Sequence, residues 1–123
     1  MIRSTDRGYV SAETAVVLPA LVLVLVLVLW GVNAGLAQIR CVDAARAGAR
    51  GLARGESQAA SVAAAYAAAP AGARISVATG GDQMRVEVRV EIHPPGVFGA
   101  RLPGLPVRGT AVAAREPTGP GAP

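Results

Sequence analysis

Apolar and polar positions divide the chain into a long uncharged run, an amphipathic stretch and an alternating region. From Thr14 to Ile39 no side chain is charged, and the centre, Ala15 to Trp30, reads AVVLPALVLVLVLVLW. Val and Leu alternate from Leu21 to Leu29, which has the period of a strand. A lone strand would leave its backbone unpaired in an apolar medium, so the run is read as helix. Its 26 residues at ~1.5 Å rise make about 39 Å of helix, enough to cross a hydrocarbon layer of ~30 Å. Trp30 fits an anchor at one interface and Tyr9 at the other. Glu13 stands one turn before the run, and a carboxylate near hydrocarbon is costly enough to mark a function. Pro19 removes one backbone hydrogen bond and predicts a bend.

Past the run the spacing stays helical. Ile39, Val42, Ala45, Ala49 and Leu52 share one face, and Arg40, Asp43, Arg46, Arg50 and Arg54 form a charged one. Asp43 and Arg46 are spaced to pair, at ~0.2–0.5 kcal/mol. Gly31 and Gly35 make a G-x-x-x-G pair that lets a second helix approach closely. Gly55 predicts the helix end, and Glu56 to Ala69 a second helix stopped by Pro70.

The remainder alternates with period two. Ile75, Val77 and Thr79 interleave with Arg74, Ser76 and Ala78; Gly80-Gly81-Asp82 is a turn. Met84, Val86, Val88, Val90 and Ile92 then interleave with Arg85, Glu87, Arg89, Glu91 and His93, one face buried and one solvated, until Pro94-Pro95. A third strand is predicted over about Val107 to Arg115, and a disordered tail over Pro117 to Pro123. The expected fold is α+β: a long N-terminal transmembrane helix (9–39), a helical stem with a second short helix (40–69), and a small β-rich head (70–116) holding an antiparallel sheet of about three strands.

Composition narrows the function. Outside the apolar segment roughly 70 residues remain, near the lower limit for a self-sufficient core. Aromatic residues are 3% of the chain, which argues against a deep aromatic-lined pocket. The net charge is +4, carried entirely by arginine, spread out and interleaved with glutamate. That distribution suits a solvated, lipid-headgroup-facing surface and not a nucleic-acid interface. The single cysteine, Cys41, excludes an internal disulfide, and Arg40 before it argues against lipidation. It reads as a small buried thiol beside the membrane, with an intermolecular disulfide left open. The sole histidine, His93, reads as a surface residue, and Glu87 and Glu91 as partners of Arg85 and Arg89. No metal-ligand cluster, nucleophile–base set or phosphate-binding loop is present, so no enzyme activity, cofactor, metal or small-molecule substrate is expected.

The N-terminus carries a more specific pattern. A short charged leader, with Arg3 and Arg7, ends in Gly8; the aromatic Tyr9 comes next, and Glu13 is fifth after the glycine. This resembles a type IV prepilin processing site, and residues 38–50, QIRCVDAARAGAR, resemble the segment after the span in TadE-like minor pilins of the actinobacterial tight-adherence (Tad/Flp) pilus system. Where many members carry Phe after the Glu, this chain has Thr14. The resemblance implies a leader (1–8) cut after Gly8 by a membrane-embedded prepilin peptidase. It also implies that Glu13 meets the new α-amine of a neighbouring subunit's Tyr9, and that other pilin subunits and the lipid bilayer are the partners. An unpaired carboxylate or amine in a low-dielectric setting would be costly, so correct register is favoured.

Two other readings compete. Gly35-Leu36-Ala37 offers a signal-peptidase site that would release a soluble binding module after Ala37. A plain signal-anchored envelope protein is the other. Counting arginines on the two sides of the span would put the C-terminal side in the cytoplasm. The prepilin-like site requires the opposite, residues 1–8 cytoplasmic and 40–123 outside the cell membrane, and that single-pass topology is the expectation adopted.

Overall fold

A computed structural model of the chain describes residues 2–114, with residues 2–7, 98 and 100 by their backbone alone. The predicted tail over Pro117 to Pro123 and the last residue of the predicted third strand, Arg115, lie outside the described residues. The order of elements is α1 (Ile2–Ala53), α2 (Gln58–Ala68), β1 (Arg74–Gly80), β2 (Gln83–Ile92), a 3-10 helix (Gly96–Ala100) and β3 (Leu105–Ala114). The α+β class, the two α-helices and the three strands are those the patterning predicts, and the 3-10 helix is an addition to it.

Helix α1 begins at Ile2 and is continuous through Pro19. It ends at the glycine that predicts its stop. Gly55 takes φ +81°, its N–H donates to the Leu52 carbonyl, and the Glu56 N–H donates to the Gly51 carbonyl. These two bonds satisfy carbonyls that the helix end would otherwise strand, and the left-handed residue between them favours glycine. Helix α2 starts two residues later than the pattern predicts, because Ser57 caps it: its hydroxyl accepts from the Ala60 N–H at 3.1 Å.

The sheet is antiparallel in the order β1-β2-β3. Gly80 pairs with Gln83, which leaves a two-residue loop, Gly81-Asp82, with Gly81 at φ +60°. Positive φ at the first loop residue alone is the hairpin turn that matches strand twist, and glycine adopts it without strain. Val86, Val88 and Val90 of β2 are buried as the alternation predicts. Strand β3 starts two residues earlier than the pattern predicts, since Leu105 pairs with Ile92.

The core lies between α1, α2 and the inner sheet face, and it consists mostly of small side chains: Ala37, Cys41, Ala44, Ala45, Ala49 and Leu52 against Val86, Val88, Val90 and Val107. The predicted apolar face of α1 needs one correction. Ile39 is exposed, and the buried stripe runs instead through Ala34, Ala37, Cys41, Ala44 and Ala45. The sheet selects small residues because its backbone comes close. A methyl group on Gly109 of β3 would overlap the backbone of Cys41 and Val42. A methyl on Gly48 would meet Val86 and Ala65 at 3.2 and 3.3 Å.

The expected Asp43–Arg46 pair does not form among the described residues. Glu87 pairs with Arg89, as expected, and at 3.7 Å also with Arg108, which the register brings beside it, while Glu91 faces His93 at 3.8 Å and not an arginine. Exposed pairs of this kind contribute about 0–1 kcal/mol each.

Candidate functional site

The N-terminal part of α1 stands free of the head. Every large apolar side chain from Val16 to Leu29 is exposed except Val26, which is half-buried. The head begins to cover the helix at Trp30, whose indole N–H donates to the Ile92 carbonyl at 3.3 Å. Ala34 and Ala37 are then buried, and the Gln38 amide donates to the Arg108 carbonyl at 2.7 Å. By length and composition α1 can cross a membrane, and none of its most apolar window is buried against the rest of the chain.

Gly8, Tyr9 and Glu13 lie on this free helix, all exposed. Tyr9 and Glu13 are four residues apart, one turn along one face. Nothing lies within 4 Å of a methyl built on Gly8. Thr14 turns its hydroxyl back to the Val10 carbonyl at 2.8 Å, which satisfies it on its own helix. Gly31 and Gly35 are exposed and open: a methyl at either would touch nothing within 4 Å. The structure thus holds all the sequence-predicted site residues on one uncovered helix, Gly8, Tyr9 and Glu13 at its start and the glycine pair where the head begins.

Cys41 is fully buried and free, and burial pushes its thiol pKa up, away from the reactive thiolate. His93 is exposed beyond the end of β2. Residues missed by sequence reasoning are also arranged on the head. Register aligns Arg74, Arg89 and Arg108 across all three strands. They border an open groove of about 710 Å³ together with Glu91 and His93. Like charges directly opposite one another are unfavourable in a sheet, and Glu87 offsets part of that repulsion. The row becomes legible only once strand pairing is known. No group of three or more metal-ligating side chains occurs among the described residues.

These features define a class: a single long apolar helix, uncovered over its first half and capped by a small α+β head. Within it, residues 8–50 match the family model described as TadE-like protein. The match starts at Gly8, spans Glu13, the apolar run and the glycine pair, and ends two residues before Leu52, so the resemblance read from the N-terminal motif is met over that stretch. No curated protein and no solved structure matches the chain.

Proposed function

We propose that the protein is a membrane-anchored minor pilin, or pseudopilin, that takes part in assembling a Tad-type pilus or a related secretion apparatus. The observation that carries this reading is the coincidence of a TadE-like segment with an apolar helix that its own head leaves bare. The stretch from Thr14 to Asn33, before the first buried residue Ala34, spans roughly 30 Å at ~1.5 Å per residue, the thickness of a hydrocarbon core. The anchor therefore ends nearer Asn33 than Ile39, since Ala34 and Ala37 belong to the head's core.

In this reading the leader, residues 1–8, is removed by a prepilin peptidase after Gly8. Cleavage requires the chain to leave the helix locally, and glycine lowers that cost by about 1 kcal/mol relative to alanine. Glu13 then serves subunit registration by meeting a neighbour's Tyr9 amine, and the open Gly31/Gly35 face admits a neighbouring helix. The role is structural, with other pilin subunits and the bilayer as partners. Release of a soluble module after Ala37 is disfavoured on packing grounds. It would take the Trp30 bond and the buried Ala34 away from the head and cut the helix at a buried residue.

Topology tests the reading. The peptidase works at the cytoplasmic face, so the head lies outside the membrane. A reporter active only outside the cytoplasm, fused after residue 123, is expected to work, and a reporter active only inside to stay silent. The reverse pattern would remove the pilin reading.

A further inference from the structure

The connection between β2 and β3 occupies a particular height on α1. Val86 of β2 lies against Gly48, and the β2 end at Ile92 meets Trp30, so β2 descends toward the N-terminus of α1. Strand β3 climbs back, with Leu105 paired to Ile92 and Gly109 against Cys41. Residues 93–104 therefore sit at the low end of the head, level with Trp30 and nearest the bare apolar helix. One turn below Trp30 on the same face, Val26 is half-buried while its neighbours in the run are exposed.

This connection, with the first residue of β3, exposes apolar side chains where a soluble loop would be polar. Val97 is 78% exposed and Leu102 49%, and Leu105 at the start of β3 is 44% exposed. Arg101 is exposed beside Leu102, and the Arg74–Arg89–Arg108 row stands above them on the sheet. The Arg108 carbonyl is bonded to Gln38, eight positions past Trp30, or roughly 12 Å up the helix. The segment is also fastened in place. Gly96 takes φ +71°, a methyl on Gly99 would come 2.6 Å from the Pro94 carbonyl oxygen, and one on Gly104 would come 3.0 Å from Glu91 and His93.

We infer that residues 93–104 form a foot that seats the head on the outer surface of the phospholipid bilayer. Val97 and Leu102 enter the boundary between headgroups and acyl chains, and Arg101 and the arginine row face the phosphates. Apolar side chains at the headgroup boundary with basic groups just above them are the arrangement by which surface-bound elements hold to a bilayer. Trp30 belongs at the same interface. The occupant is lipid because this exposed surface is continuous with the uncovered helix and because Arg74, Arg89, Arg101 and Arg108 outnumber Glu87 and Glu91 on it, which leaves a net charge complementary to phosphate. The seat fixes the head's tilt and rotation about α1 before any subunit joins a filament. This rests on the reading of α1 as a membrane span.

The test uses the full chain with Cys41→Ala, reconstituted in vesicles of phosphatidylcholine and phosphatidylglycerol. Single cysteines carrying an environment-sensitive fluorophore are placed by Val97→Cys, Leu102→Cys, Leu25→Cys and Val112→Cys, all at exposed positions. Labels at positions 97 and 102 are expected to be quenched severalfold more by nitroxides near the lipid headgroup than by aqueous iodide. The label at 112, at the far end of the sheet, should show the opposite order, and that at 25 should respond to nitroxides deep in the acyl chains. Labels at 97 and 102 that behave like 112, with 25 still deep, overturn the foot while the span stands. A label at 25 that iodide reaches overturns both.

Discussion

At Gly109 a hydrogen in place of a methyl group lets β3 lie directly on the backbone of α1 at Cys41 and Val42. Both partners are main chain, so neither can rotate aside. Gly109→Ala must push the strand off the helix, and overpacking of that kind costs about 1–3 kcal/mol or more. Gly80→Ala is the control: nothing lies within 4 Å of the added methyl, and its φ is not positive. It should change stability by no more than about 0.5 kcal/mol. Denaturant unfolding in detergent, followed by circular dichroism of the sheet, would compare them. Equal midpoints for the two variants would mean that β3 does not approach α1 this closely. The close approach is not legible in the sequence, because Gly109 sits among Thr110, Ala111 and Ala113 with nothing to mark it; its role needs the strand register. The Ser61 hydroxyl is buried and without a hydrogen-bond partner among the described residues.

Among elements, α1 does two jobs divided at about Trp30. Its C-terminal part packs small residues under the sheet, and its N-terminal part carries Tyr9 and Glu13 in the open. Among the described residues Glu13 makes no hydrogen bond or ion pair that would make it a folding residue, and it is exposed on a helix whose head starts well beyond it. Glu13→Ala should therefore keep the anchor, the folded head and leader removal, and lose registration with neighbouring subunits. Stranding a neighbour's amine in a partly dry setting costs on the order of 1–3 kcal/mol per contact. In-cell crosslinking to other pilins should fall sharply in this variant. Crosslinking and piliation equal to the parent's would make Glu13 a headgroup-level residue and nothing more. The elements themselves are largely readable. Alternation from Met84 to Ile92 marks β2 and its buried face, and Gly55 marks the end of α1. What cannot be read is which side of α1 the sheet covers. Ile39 fits the apolar periodicity, yet the sheet settles on the alanine stripe because only small side chains admit the Gly109 backbone. The 3-10 helix is equally hidden, since Pro94-Pro95 marks the end of a strand and carries no signal for a helical turn beyond it.

For the molecule as a whole, the exposed Val and Leu side chains from Val16 to Leu29 decide the environment. Burying each contributes about 1 kcal/mol or more even when part of it is already shielded. Together they are comparable with the whole folding stability of a small domain, about 5–15 kcal/mol. A chain that leaves that free energy unused in its own fold requires lipid or other helices around it. Pilin assembly offers both in sequence, first the bilayer and then neighbouring α1 helices, and that succession is the centre of the proposed function. It depends on one covalent event, removal of the leader at Gly8. Intact mass and N-terminal fragment masses of the protein purified from its own membranes would test it most directly. The expected result is a mature chain that begins at Tyr9, together with a Gly8→Val variant that keeps its leader yet still inserts. A parent chain beginning at Met1 or Gln38, or a Gly8→Val variant with the parent's mature mass, would contradict it.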